Sequence, residues 1–351
     1  VPVSAAVPPE ISVAVVNWNR REYLRACLES LARQRDADFE VIVVDNGSSD
    51  GSAEMVRAEF AGRAGFRVSV IANTANRGFC GANNQAFAAA RGQFVALLNN
   101  DAEAEPDFLA ALRGAFDTAP DIGMAAAKVL VYEDPRRIDK AGHLIYPDGQ
   151  NRGRGTGEID RGQYDRMEEC LWPDGCAAMY RKTMLDAIGG FDEDFFMFAD
   201  DAELGLRGRM AGWRCLYAPG AVVRHHRGGS LPAGSTYRIF LIERNRVLLA
   251  AKLFPWSLLL LNGYYFALRL AGGAIAAAGG KGEMARFPGV WNKLRLLGAI
   301  VRADWAALGL LPRMLRKRGE VRRIAKLTPA EVRRLILDNR IPVRALLEKS
   351  N

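Results

Sequence analysis

Leu97-Leu98-Asn99-Asn100-Asp101 is an apolar run that passes directly into two amides and a carboxylate. Upstream, Val41-Ile42-Val43-Val44-Asp45-Asn46-Gly47-Ser48-Ser49-Asp50-Gly51 does the same. Short β-branched or apolar runs of this kind read as buried strands. Each delivers a carboxylate at its C-terminal end, the edge of an open α/β sheet where ligands bind. Two such carboxylates suit a nucleotide and the metal ion that bridges its phosphates.

Working outward, strands are expected at Ile11–Val16, Phe39–Val44, Val68–Ala72 and Phe94–Leu98. Helices are expected between and after them: Arg21–Arg33, Ser52–Phe60, Gly81–Arg91 and Asp107–Thr118. Alternation of strand and helix means parallel βαβ units. From Ile122 to Ile145 the pattern is strand-like, and the Gly- and Arg-rich stretch Gln150–Gly162 reads as a mobile loop. Ala177–Tyr180 reads as a strand, Lys182–Ile188 as a short helix and Asp200–Ala211 as an acidic helix. Trp213–Tyr217 and Ala221–Arg224 read as two closing strands.

Beyond about Ser230 the texture becomes helical, starting with Tyr237–Leu253. Leu253–Leu268 is almost wholly apolar but short of the roughly 20 residues a spanning helix needs. An interfacial helix is the preferred reading, and a buried core helix the alternative. Lys281–Asn351 holds 17 Lys/Arg against 6 Asp/Glu, more than the whole chain's net +8, so the preceding residues are net acidic. A basic segment suits an anionic surface, lipid headgroup or nucleic acid, or is simply a solvated helix face. The five cysteines are odd in number and include no CxxC, which favours a reducing cytosol. Val1–Glu10 lacks the basic start and apolar core of a signal peptide.

The turn after the first strand, Asn17-Trp18-Asn19-Arg20, has no glycine, and no GxxxxGK[ST] occurs. The two commonest α/β nucleotide motifs are thereby excluded. In their place Asp45 can accept from a pyrimidine N3–H or a ribose hydroxyl, though its segment also suits a turn that caps the next helix. Asn76-Arg77-Gly78-Phe79-Cys80-Gly81-Ala82-Asn83-Asn84 offers close backbone approach, amides for hydroxyls or phosphate, and a guanidinium; it also suits a helix N-terminus. Asp101 with its neighbouring amides is enough for Mg2+ or Mn2+, which takes one or two carboxylates plus substrate phosphates.

In this order the segments Val15–Asn19, Val43–Gly51, Asn76–Gly78 and Leu97–Asp101 resemble family 2 glycosyltransferases of the GT-A fold, nearest to the rhamnosyltransferase-like subgroup. The resemblance spans about residues 11 to 250. It implies an α/β fold with a Rossmann-like mixed sheet and a helical C-terminal extension. Residues 1–235 would be the catalytic domain, with 11–120 the nucleotide-sugar half and 121–235 the acceptor half. Residues 236–351 would be a helical, basic, membrane-associated region. The donor would lie on Asn17, Asn19, Asp45, Asn46, Asn76, Arg77, Gly78, Asn83 and Asn100. Asp101 matches the metal-binding end of the family's Asp-x-Asp, with Asn99 in place of its first Asp, and His225 matches a late histidine that touches the metal or diphosphate. Asp201 matches the general base, with Asp200 where Glu is usual; carboxylates in a helix's first turn are also favoured by the dipole. Trp172-Pro173-Asp174-Gly175 matches the loop below the acceptor site, with Trp172 as a sugar platform or a core residue.

The expectation is therefore an inverting transfer from a nucleotide sugar, dTDP-rhamnose or a UDP-sugar, to a saccharide or polyprenyl-linked acceptor. Mg2+ or Mn2+ would be the cofactor, the anionic inner face of the cell membrane the location, and nucleic acid no partner. Two rivals stand beside it. A nucleotidyltransferase shares the texture but usually has a Gly-rich basic loop after its first strand. A non-catalytic glycan-binding protein would not need Asp101 and Asp201.

Overall fold

The structure, a computed structural model, describes residues 8–227, 235–278, 289–342 and 345. The start of the N-terminal segment, Ser230 and part of the basic tail lie outside the described residues. The β-branched runs form the expected strands. β1 (Ile11–Asn17), β2 (Phe39–Asp45), β3 (Val68–Ala72) and β4 (Phe94–Leu98) are parallel, with β1 between β4 and β2. Register sets Asn17 opposite Asp45. The connecting helices are α1 (Arg21–Leu31), α2 (Ser52–Glu59) and α3 (Gly78–Ala89). α3 starts three residues earlier than periodicity suggests, because Gly78 takes φ +74° and turns the chain directly into the helix.

After β4 come β5 (Ala102–Ala104), α4 (Phe108–Ala115), β6 (Ile122–Val131), β7 (Ile138–Ala141), β8 (His143–Ile145), β9 (Asn151–Gly153) and β10 (Glu168–Cys170). β11 (Ala177–Arg181), α5 (Lys182–Ile188), α6 (Asp200–Met210) and β12 (Arg214–His225) complete the sheet region. The sheet runs β10-β12-β6-β11-β4-β1-β2-β3, with β5 on β12 and β7 on β6. β11 is antiparallel to both β4 and β6, so the sheet is mixed. The two expected closing strands are one, β12, which shifts register between Ala218 and Val222 across Pro219-Gly220. The expected mobile loop at 150–162 is partly structured. β9 pairs with β8, Thr156 Oγ1 donates to the Asp139 carbonyl at 2.7 Å, and Arg154 pairs with Glu168. Arg152 and Arg154 bind carbonyl and carboxylate oxygens, while Arg161 is exposed.

Alternation along the strands supplies two core layers. Ile11, Val13 and Val15 of β1 face one; Ala14 faces the other, as do Val95 and Leu97 of β4. The second layer continues into α7 (Thr236–Leu253), α8 (Trp256–Leu259), α9 (Asn262–Ala278), α10 (Val290–Ile324) and α11 (Pro329–Asp338). Leu248 and Phe254, Met314 and Val321, and Val332 and Ile336 all bury there. The apolar run 253–268 is not one helix, since α7 ends before Pro255 and two further helices follow. No helix among the described residues is long and apolar enough to cross a membrane.

These helices grip the turn that precedes α6. Lys252 Nζ lies 2.6 Å from Asp192 and 2.7 Å from Glu203, and Lys317 Nζ is 2.7 Å from Asp194. Asn245 Nδ2 lies within 2.9 Å of the carbonyls of Phe195, Met197 and Phe198. Phe196, Phe198 and Ala199 all have positive φ, 64°, 67° and 55°. Such conformations are costly for residues with side chains and persist only when surroundings impose them.

Candidate functional site

The carboxyl ends of the parallel strands and the start of α6 open on one cleft of about 1130 Å³. At one end an amide lattice fixes the loops after β1, β2 and β3. Asn100 Nδ2 donates to Asn17 Oδ1 at 2.6 Å, and Asn17 Nδ2 to Ser48 Oγ at 3.2 Å. Ser48 in turn donates to Asp45. Asn46 Nδ2 donates to Asn76 Oδ1 at 2.9 Å, and its Oδ1 accepts from the Arg77 amide at 2.9 Å. Asn46, Asn76, Gly78 and Asn100 reach the cleft wall, beside Val16 and Trp18. Trp18, 44 % exposed, presents a free aromatic surface there.

The other expected donor contacts are placed differently. Asn17 and Asp45 are buried behind the wall and hold the loops. Asn19 ties its loop to the Ser49 amide at 2.9 Å. Asn83 Nδ2 donates within α3 to the Phe79 carbonyl at 2.9 Å, and Arg77 is exposed at the start of α3, outside the wall.

Asp101 lines the middle of the cleft. β5 pairs Ala102 with His225, which brings His225 Nε2 to 3.4 Å from Asp101. His225 Nδ1 is 2.8 Å from Asp139, and Arg227 Nε donates to Asp139 at 2.9 Å. Burial opposes charge on the His225 ring, yet Cys176, Asp101 and Asp139 raise its pKa well above the usual imidazole value. Burial would likewise raise the Asp101 carboxyl, but hydrogen bonding and charge from His225 hold it below the usual range. Lys140 and His225 overcome burial at Asp139 in the same way.

Deeper in the cleft, α6 presents Asp200 and Asp201 from its first turn. Asp201 Oδ2 accepts from the Gly175 amide at 3.4 Å and lies 3.4 Å from His143 Nε2. His143 Nε2 is 2.7 Å from Asp174, and Lys140 Nζ is 2.6 Å from the same carboxylate. Burial, and then the neighbouring Asp201 charge, pushes Asp200 well above the carboxylate range. Burial also raises Asp201. Asp174 goes the other way, because Lys140 and His143 outweigh its burial. Asp201 thus keeps a greater appetite for a proton than an ordinary aspartate, which is what a general base requires. His143, Asp174 and Asp201 put three ligand atoms within 4.8 Å of one another, a cluster that could hold a metal ion. The Lys140 ammonium already stands against one of its carboxylates.

Asp174 and Gly175 line the cleft as expected. Trp172 does not: it is fully buried, packed on Gly205, with its ring 6.1 Å from that of His143. It supports the wall from behind and has no face to offer a sugar. Asp139, Lys140 and His143 are site residues that sequence reasoning missed. Their only signal is a cluster of charged residues in a strand-like stretch that otherwise runs apolar.

Comparison with known proteins bears on this geometry. Residues 12–189 match the model of the family described as Glycosyl transferase family 2. An uncharacterized protein of Sinorhizobium fredii is 31% identical over 237 residues, 63% of this chain; the chain spans only 25% of that relative's length. An N-acetylglucosaminyl-diphospho-decaprenol L-rhamnosyltransferase of Mycobacterium tuberculosis is 26% identical over 266 residues, 67% of this chain and 85% of that protein. Among solved structures, the mannosyltransferase PcManGT of Pyrobaculum calidifontis, in complex with GDP-Man and Mn2+, superposes with TM-score 0.54 at 22% identity. That match covers 91% of this chain and 86% of the other.

Proposed function

The chain belongs to glycosyl transferase family 2 and has the GT-A fold, and from that premise we propose that it is an inverting, nucleotide-sugar-dependent glycosyltransferase. The observation that carries the reading is that Asp101 and Asp201 line one cleft, each at the end of an element that aims it inward. The nucleotide lies along Asn46, Asn76, Gly78 and Asn100, with the base beside Trp18. The acceptor enters past Asp174 and Gly175. Asp201 takes the acceptor hydroxyl's proton while that oxygen bonds to the anomeric carbon. The bond from that carbon to the diphosphate breaks on the opposite face. Lys140 and His143 fix Asp174 and shield Asp201 from it, so Asp201 faces the acceptor in a set orientation.

Asp101 and its flanking amides suit a hard divalent cation and would hold Mg2+ or Mn2+, with His225 joining as a ligand once its ring gives up the extra proton that Asp101 and Asp139 stabilise. When bound, such an ion supplies positive charge to the departing diphosphate. The cluster of His143, Asp174 and Asp201 suits it less well, because Lys140 supplies positive charge there.

The rhamnosyltransferase relative supports L-rhamnose as the sugar moved, from the dTDP-rhamnose expected above, and a lipid-linked saccharide as acceptor. Attachment to an anionic membrane surface is supported by α10. Its exposed Trp291, Leu294, Leu297, Val301, Trp305 and Leu308 form one stripe, opposite the buried Leu296, Ala299, Ala303 and Ala307. Arg295, Arg302 and Arg313 flank it. The test is binding and turnover of dTDP-rhamnose, UDP-glucose, UDP-galactose, UDP-N-acetylglucosamine and GDP-mannose, each with Mn2+, Mg2+ or EDTA. Cation-dependent selection of one donor is the expected result. Glycan binding without turnover of any donor, or pyrophosphate release from a nucleoside triphosphate, would replace the reading by one of its rivals.

A further inference from the structure

The cleft does not end at Asp201. Beyond the paired charges of Arg246, Glu243 and Arg269 its wall turns apolar. Ile239 and Ile242 of α7, Leu270 and Gly273 of α9, and Leu296 and Ile300 of α10 line it, with Tyr237 and Arg238 of α7 beside them. Ile239, Leu296 and Ala299 make a small cluster separate from the two layers of the sheet. Ile242, Leu270 and Ile300 stay partly exposed in the cleft. These side chains therefore do not complete the core; they line space.

α10 joins this space to the exterior. The turns that point Leu296 and Ile300 into the cleft point Leu294, Leu297 and Val301 outward, in the stripe flanked by arginines. One helix thus faces an apolar pocket on one side and, on the other, a surface with the pattern of a bilayer-seated helix.

We propose that the apolar end of the cleft seats the first part of the hydrocarbon chain of a lipid-linked acceptor drawn from an anionic bilayer. The acceptor's polar head then reaches Asp201 along the same cleft, and the rest of the chain stays in the membrane. The inference rests on the glycosyltransferase reading and deepens it. It explains why the helical region is packed around the acceptor end rather than the nucleotide end.

The test compares farnesyl diphosphate with methyl diphosphate as binding probes on the full chain, with nucleotide-sugar binding measured on the same samples. The expected result is at least tenfold tighter binding of the farnesyl compound. Ile242→Asp and Ile300→Asp should each abolish that preference. Ile300→Trp, which fills the space while staying apolar, should do the same with an unchanged melting temperature. Val301→Asp, on the outer stripe, should weaken binding to phosphatidylglycerol vesicles and leave the farnesyl preference intact. Equal binding of the two probes to the wild type, or a preference that survives Ile242→Asp and Ile300→Trp, would overturn the tail site. If donor binding persists in that case, only the tail site falls; if no nucleotide sugar binds at all, the transferase reading itself has failed.

Discussion

The side-chain amide of Asn245, in the middle of α7, lies 2.7 Å from the carbonyl of Phe198, one of the left-handed residues that lead into Asp200 and Asp201. It also reaches the carbonyls of Phe195 and Met197. A helix from outside the family match thus clamps the turn that aims Asp201, the proposed base. Asn245→Ala leaves several buried carbonyls short of a donor while three residues still need a strained conformation. The expected cost is about 1–3 kcal/mol in stability, with kcat falling further than donor affinity. Thermal melts and a kcat-against-KM split check this; a variant with lowered stability and unchanged kcat would reduce Asn245 to a packing residue.

Lys252 sits between Asp192 and Glu203, all three buried. Burial raises both carboxyls, but Lys252 and Lys317 at Asp192, and Arg207 and Lys252 at Glu203, hold them below the usual range. The folded state therefore binds fewer protons than the unfolded chain near pH 4. Stability from these groups is complete above their unfolded values and lost as pH falls through the lowered folded ones. Lys252→Met should cost about 3 kcal/mol at neutral pH, the lower end for breaking a buried pair, since Lys317 and Arg207 remain. It should also reduce the acid dependence of the melting temperature below about pH 4. An unchanged acid profile in the variant would contradict the assignment.

Asp101→Ala should abolish cation-dependent binding of the nucleotide sugar, while His143→Ala should leave it in place. Titration of Mn2+ in the presence of donor reads both. The reverse pattern would move the ion to the cluster of His143, Asp174 and Asp201.

Trp291 and Trp305 are 79 % and 71 % exposed on α10. Replacing both with Ser should leave the stability within about 1 kcal/mol of wild type, as for surface sites. Co-sedimentation with phosphatidylglycerol vesicles should fall at least tenfold, and added salt should weaken what remains. Binding that persists in both conditions would remove α10 as the contact.

The strands β1 to β4, their carboxylate ends and the acidic start of α6 were legible because each is a local pattern. Alternating or continuous apolar runs set the strands, and the residue after each run lands at the binding edge. Long-range placement was not. Asp139, Lys140 and His143 read as one more strand; the pairing of β7 on β6 brings the first two to the cleft and that of β8 on β9 holds His143 beside them. Trp172 read equally as a sugar platform or a core residue, because its neighbours Asp174 and Gly175 reach the site; packing on Gly205 makes it the core residue. The membrane reading settled on 253–268, where apolar residues are consecutive. That segment exposes Trp256, Leu260, Leu261, Tyr264 and Leu268, and a second exposed stripe lies on α10, where basic residues interleave with it and conceal it from any count of apolar runs.

The central claim is that Asp201 is the base of an inverting sugar transfer. Its most direct test is Asp201→Asn, comparing donor affinity with transfer rate once the donor is known. The change removes the proton acceptor and keeps the shape. Donor affinity should stay within about twofold, and transfer should fall by roughly 10² to 10⁴. Transfer at the wild-type rate with this variant would contradict the mechanism.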